Sequence, residues 1–417
     1  MYIFVLQTNT YIMGYEIILE TKIVIKNDTC KLKSITIAFL TSLVSIFQDY
    51  VSQVLLHYFQ EYYRSQKLAE LLSVKSVRLK TTNKLTKFKT IFGTIYVPQI
   101  QVRALGFDGI ERQMSITRTL LEVSPKFQIP DFIKEMLGFI SAQTTFRVGH
   151  KIVGLLTNFQ CSLQSVWNSV KFAAGKIKLE LAPDGTNEFE ADGTGIPTKN
   201  SGKRGSELKK VFQKKVCGGL HLVGLSIGNY KLKEGWQRAF SQLKEALNSD
   251  LTKFAKIILS SDGDLSIINT AKNLSSRVKI QIDKWHVFHQ MKYYLWQDGI
   301  KKELKYNIIA HFFKISMLSK RTREDRNSRI ARYINLLFHS GCKHTATYLQ
   351  SVLSIFYTHE TEGNQNIYTS KTERSMRTTN QRINVGIWSE EGALNICKIR
   401  DAYYYNGISV LNWKKTA

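Results

Sequence analysis

Two short apolar runs rich in β-branched residues, Ala255–Ser260 and Val278–Ile282, stand out from the hydrophobic pattern. Their length suits strands buried on both faces. Each run breaks off in acidic residues, Ser261-Asp262-Gly263-Asp264 after the first and Asp283-Lys284-Trp285-His286 after the second. Carboxylates just past the ends of core strands lie where an open α/β sheet binds its ligands. Upstream, Glu188–Asp192 reads as a strand that ends at Asp192 in a glycine-containing turn, and Gly219–Gly228 as another strand. Residues 232–249 read as an amphipathic helix. From Gln290 to about Phe356 the pattern is continuously helical.

The first half reads differently. Residues 1–33 are weakly patterned and receive no assignment. Residues 35–72 carry apolar positions at three- or four-residue steps (Phe39, Leu43, Ile46, Tyr50, Val54, Tyr58), the mark of a long helix or helix pair with a buried face. Lys84–Val102 has a strand–turn–strand pattern, with Gly93 at the turn and Pro98 on an edge strand. Residues 130–178 read as helical. Within them Phe146–Thr157 and Leu163–Ala174 are joined by a four-residue turn with Ser162 placed as an N-cap, the pattern of a helix-turn-helix. Pro183-Asp184-Gly185 is a turn that marks a domain boundary. Five segments follow from this: an unassigned 1–33; a helical and β-hairpin region over 34–182; an α/β part over 183–290; a helical insertion over 291–366; and a last part over 367–417.

Charge changes the picture. Lys and Arg number 59 against 33 Asp and Glu, a net +26 over 417 residues. A polyanion such as DNA fits that balance, although abundant Lys, Ile and Asn would also follow from codon bias. The basic residues cluster. Lys199, Lys203, Arg204, Lys209, Lys210, Lys214 and Lys215 follow Asp192, and Arg321, Arg323 and Arg326 lie inside the helical insertion. Lys371, Arg374 and Arg377 surround Glu373. Facing a groove, these side chains would neutralise phosphates; otherwise they form a solvated surface. The five cysteines are odd in number, widely spaced and without CxxC, which points to a reducing compartment rather than a disulfide framework or a cysteine-based zinc site. No stretch has the pattern of a signal peptide or a membrane span, so a cytoplasmic location is expected, at the nucleoid when DNA is bound.

Phosphodiester cleavage at neutral pH is served by two Mg²⁺ ions about 4 Å apart, held by a few fixed carboxylates. Asp192, Asp262 and Glu373 have suitable settings: two at strand ends and one opening a helix. Singly, each has an ordinary explanation, a turn for the Asp-Gly pairs and an i,i+4 partnership with Arg377 for Glu373. Asp264 competes with Asp262, and Glu360, Glu362, Glu390 and Glu391 compete with Glu373. The layout of strand acid, strand acid, helical insertion and helical acid matches the RNase H-like fold of DDE transposases. The segments ADGTGIP, LSSDGD, DKWHVFHQM and KTERSMRTTNQRINVGIWSEEGALNICKIR resemble bacterial insertion-sequence transposases of the Mutator-like group, most strongly from Asp192 onward.

That resemblance implies an RNase H-like α/β catalytic core interrupted by an all-α insertion. Before it would come a mainly α DNA-binding region with a β-hairpin. It implies Mg²⁺ (or Mn²⁺) on Asp192, Asp262 and Glu373, supported by Asp283, His286 and Asp264. It implies cleavage of element ends and transfer of the 3′-OH into target DNA. The partners would be double-stranded DNA and further copies of the chain, as a dimer or higher oligomer. The alternatives are an RNase H-like nuclease or resolvase, and a DNA-binding relic without catalysis.

Overall fold

In a computed structural model, the structure describes residues 2–12, 15–25, 46–53, 67–80, 84–90, 93–120, 123, 128–156, 159–199, 205–229, 233–249, 254–282, 284–316, 323–356 and 370–408. The chain divides into two compact units, one up to residue 173 and one over residues 174–409.

The first unit opens with an antiparallel hairpin of β1 (Tyr2–Ile12) and β2 (Tyr15–Ile25), in the segment whose pattern suggested nothing. The long helix or helix pair expected over 35–72 is described at residues 46–53 (α1) and Lys67–Leu71 (α2); the intervening residues lie outside the described ones. Strand β3 (Ser76–Lys80) pairs with β6 (Gln101–Leu105), which also pairs with β7 (Glu111–Ser115). The expected hairpin forms between β4 (Leu85–Thr90) and β5 (Gly93–Pro98). Gly93 takes a positive φ of 129°, the backbone region that favours glycine. Phe88, Ile95 and Val97 of this hairpin pack with Val51 and Val123.

Beyond the short α3 (Ile116–Leu120) come α4 (Asp131–Gln143), α5 (Phe146–Leu156) and α6 (Leu163–Lys176). The last two match the expected helix pair. The Ser162 hydroxyl accepts from the Ser165 backbone N–H at 3.2 Å, as an N-cap does. Ile133, Leu137, Val153, Phe159 and Val166 join the three helices in one cluster.

The second unit is built on a five-stranded sheet. Its order is β10-β9-β8-β11-β12, from β8 (Gly185–Ile196), β9 (Ser206–Lys215), β10 (Leu220–Asn229), β11 (Ile257–Ser261) and β12 (Val278–Ile282). Strands β8 and β10 are antiparallel to β9, while β11 is parallel to both β8 and β12. Strand β9 therefore runs against the other four. One face is apolar: Phe189, Ala191, Val211, Val223, Ile257, Leu259, Val278 and Ile280 pack beneath α7 (Trp236–Ala239), α8 (Ser241–Ser249) and α9 (Leu265–Lys272).

The other face is covered by α14 (Ser370–Ile383), against β8, and α15 (Glu390–Asn406), against β10. Between β12 and α14 the chain makes α10 (Lys284–Gln297), α11 (Lys302–Ser316), α12 (Arg323–His339) and α13 (Lys343–Phe356). These four helices share their own core, including Val287, Met291, Leu295, Phe312, Ile334 and Leu349. The helical insertion thus starts at Lys284, a few residues before the expected position 291.

Two expectations need correction. Strand β8 continues to Ile196, so Asp192 lies within the strand rather than at its end. The basic stretch before Lys215 is not a solvated ribbon: Ser206–Lys215 is a central strand, and residues 206–213 are all buried.

Candidate metal and nucleic-acid site

Side chains alternate along a strand, so Glu188, Glu190, Asp192 and Thr194 share the face of β8 that α14 covers. Register sets what lies beside them. Ile258 pairs with Glu188 and Ser261 with Ala191, so one further step brings Asp262 level with Asp192 on the adjoining parallel strand. Neighbouring strands are roughly 4.8 Å apart, which puts the two carboxylates side by side. On the far side of β8, Asp192 pairs with Lys210.

The turn after β11 holds Asp262 firmly. Its Oδ1 accepts from the Asp264 backbone N–H at 2.9 Å. Gly263 between them has φ of 94°, and a Cβ there would run into the Ile282 side chain, so this position requires glycine. Asp264 turns away to cap α9. Its Oδ1 accepts from the Ser266 backbone N–H and hydroxyl, both at 2.6 Å. Of the two competing acids, Asp262 is the one in the row with Asp192.

Burial and neighbouring charges act on both carboxyls. Burial raises the Asp192 carboxyl most, and the Asp262 charge adds to it. Glu207 raises it further, against the Gly193 N–H and Lys210, which favour the ionised form; the result is pushed up to about 8. Asp262 is likewise raised, first by burial, although the Asp264 N–H and the His286 ring oppose the rise; Asp264 adds to it. His286, in the first turn of α10, is thus near Asp262. Asp283 lies outside the described residues.

Helix α14 lies along β8. The Thr372 hydroxyl donates to the buried Glu190 carboxylate, and Thr194 and Asn380 exchange hydrogen bonds between their side chains at 2.9 and 3.1 Å. Glu373 follows Thr372 directly, in the first turn of α14. Its carboxylate, one-third exposed at 33%, accepts from Arg377 at 2.8 Å. Among the described residues, no group of three or more His, Cys, Asp or Glu side chains is gathered to hold a metal. Asp192 and Asp262 are level on adjoining strands with His286 near Asp262, Asp264 caps α9, and Glu373 pairs with Arg377 instead of joining them.

Lys209 and Lys210, expected to meet DNA, are both fully buried at 0% exposure. Lys209 pairs with Glu207 and lies 5.0 Å from the Trp236 ring centre. The Lys210 ammonium meets Asp401 at 2.7 Å, Ser375 at 3.0 Å and Thr379 at 2.6 Å. It therefore clamps β9 to α14 and α15. Lys214 bridges Glu188 and Glu190 at 3.2 and 3.3 Å. These three lysines belong to the sheet, where a buried charge is tolerated only when paired.

Lys215 is half-buried at the end of β9, and Lys199 is exposed. Arg374 and Arg377 are exposed on α14. Lys203, Arg204 and Arg321 lie outside the described residues, and so do the side chains of Arg323, Arg326 and Lys371.

Sequence reasoning missed Glu190 and the Lys210–Asp401 pair. Glu190 had a signal, since it stands two residues before Asp192 and must share its face. The Lys210–Asp401 pair had none, because the residues are far apart in the chain.

Two adjoining carboxylates that resist ionisation together form a donor set suited to a hard divalent cation, whose charge would offset both. Asp192 and Asp262 fit Mg²⁺ in that sense. Compared with known protein families and with characterised proteins, the chain matches none.

Proposed function

We propose that this protein is a DNA transposase of the DDE type, acting on double-stranded DNA with Mg²⁺ held by Asp192 and Asp262. The observation that carries the reading is the register of β8 and β11, which sets these two acids level on adjoining parallel strands. The sheet supports an RNase H-like core: its order places the first strand centrally, with the second strand alone reversed. The helices between β12 and α14 correspond to the insertion that interrupts such a core. The net charge of +26 supports a polyanionic substrate.

When bound, Mg²⁺ supplies the Lewis-acid polarisation that phosphodiester cleavage at neutral pH needs. The chain's own residues do the rest. Strand backbone and the Asp262–Asp264 turn fix the two carboxylates before any ligand arrives, so little ordering remains to be done on binding. Lys210 and the Gly193 N–H favour ionised Asp192. His286 does the same for Asp262. Glu373, which pairs with Arg377 at 2.8 Å on the helix that packs against β8, would be the third acid for the cation.

The Glu373–Arg377 pairing also favours a second reading, a relic that binds DNA without cutting it. Supercoiled plasmid nicking with Mg²⁺, followed by strand transfer of a pre-cut element end, separates the two. The transposase reading expects both activities, and expects Asp192→Ala and Asp262→Ala to abolish them while a gel shift persists. Wild-type protein that shifts DNA and never nicks it would leave the relic.

A further inference from the structure

Helix α13 of the helical insertion shares a core with Ile282, whose side chain lies against Gly263, the neighbour of Asp262. Tyr348 sits midway along α13, which packs against α10 and β12. Its place is fixed from two sides. Asp298, just past the end of α10, accepts from the backbone N–H groups of His344 and Thr345 at 2.8 and 3.0 Å and from the Thr345 hydroxyl at 2.6 Å, tying down the first turn of α13. The Tyr348 ring stacks on Tyr294 of α10, with centroids 4.8 Å apart and planes at 25°. Helix α10 also carries His286, so one rigid helix positions both residues.

The ring is anchored, but its hydroxyl is not. That oxygen is buried and hydrogen-bonds to no described protein group. Tyr333, in the same helical cluster, shows the usual solution: its hydroxyl donates to the Ile308 carbonyl at 3.1 Å. Burial raises the Tyr348 phenol most, followed by Tyr294 and then by the Asp262 charge. The hydroxyl therefore keeps its proton and lies within electrostatic reach of Asp262. A buried donor without a partner among the described protein groups, within reach of the Asp262 charge, is suited to a ligand that brings its own acceptor.

We infer that Tyr348 is a catalytic residue supplied by the insertion, its hydroxyl donating a hydrogen bond to a non-bridging oxygen of the phosphodiester bound at Asp192 and Asp262. The inference rests on the site reading above. A protonated donor there stabilises negative charge growing on the phosphate, the role that fixed hydrogen-bond donors play wherever an oxyanion develops. No proton changes hands.

The test compares full-length wild type, Tyr348→Phe and Asp262→Asn in Mg²⁺-dependent nicking of supercoiled plasmid, with gel-shift affinity and melting temperature for each. Tyr348→Phe removes one oxygen and keeps the stacked ring. The expected result is a fall in kcat of roughly a hundredfold, with KM and DNA affinity within about twofold and a melting temperature no lower than wild type. A merely structural hydroxyl would give the opposite, a lower melting temperature with turnover kept. Turnover within twofold of wild type, or a lowered melting temperature, overturns the role of Tyr348. If Asp262→Asn is dead while Tyr348→Phe nicks normally, this inference alone falls. If wild type does not nick, or Asp262→Asn nicks as well as wild type, the site reading falls and this inference goes with it.

Discussion

Asp192 shows what one residue can reveal about its surroundings. Its carboxyl holds a proton up to about 8 in the folded chain, against an ordinary value of 3.8. Between those values the folded chain binds more protons than the unfolded one, so stability falls as pH rises through the window. On the proposed reading, Mg²⁺ bound to the ionised pair would oppose that fall. In the absence of Mg²⁺, melting temperature is expected to drop from about pH 5 to about pH 8. Added Mg²⁺ should raise it more at the higher pH, by scanning fluorimetry; an equal rise at both would count against the pair as the cation site.

Lys210 makes a second case. Lys210→Met strands Asp401 in the interior and should cost about 3–5 kcal/mol in urea unfolding. Adding Asp401→Asn should recover much of the loss, because both charges are then gone. The sequence made Asp192 and Asp262 visible as acids tied to apolar runs. It could not show that Lys209 and Lys210 face inward, because composition counts charge and says nothing of direction.

Among the elements, β9 was the least legible. SELKKVFQKK holds four lysines in ten residues and reads as a solvated ribbon. Its central place comes from pairing on both edges with β8 and β10, a long-range fact that local pattern does not carry. Strand β11 was readable as a buried apolar run, and β12 by the alternation of Val278, Ile280 and Ile282 with Lys279 and Gln281. The Asp192 strand was placed correctly but stopped short, since Gly193 and Gly195 look like a turn while serving as strand positions. On the neighbouring strand, β10 bends around Gly224, where a Cβ would collide with the Ala239 carbonyl of the helical α7 segment. Gly224→Ala should force that helix off the sheet and cost roughly 1–3 kcal/mol, seen as a lower urea midpoint with an unchanged slope.

For the molecule as a whole, the proposed DNA substrate together with a net charge of +26 leads to an expectation of strongly salt-dependent binding. Not every lysine contributes to it. Lys209 and Lys210 are buried in pairs, whereas Lys199, Arg374 and Arg377 are exposed. Neutralising Lys199 or Arg374 should make the slope of log affinity against log salt shallower by up to about one unit each. Lys209→Met should lower stability and leave the slope as it was. A shallower slope from Lys209→Met in a fluorescence-anisotropy titration would mean that this lysine reaches the phosphates after all.

The Lys210 clamp has a consequence for how the chain is made. Strands β8 and β9 leave the ribosome long before Ser375, Thr379 and Asp401, the groups that receive the lysine's charge. Until those last two helices emerge, the nascent sheet exposes a polar stripe and an unneutralised ammonium. Cutting the chain short of residue 370 should therefore yield a product that proteases clear rather than a smaller stable protein. A late frameshift in the gene would silence it as completely as an early one.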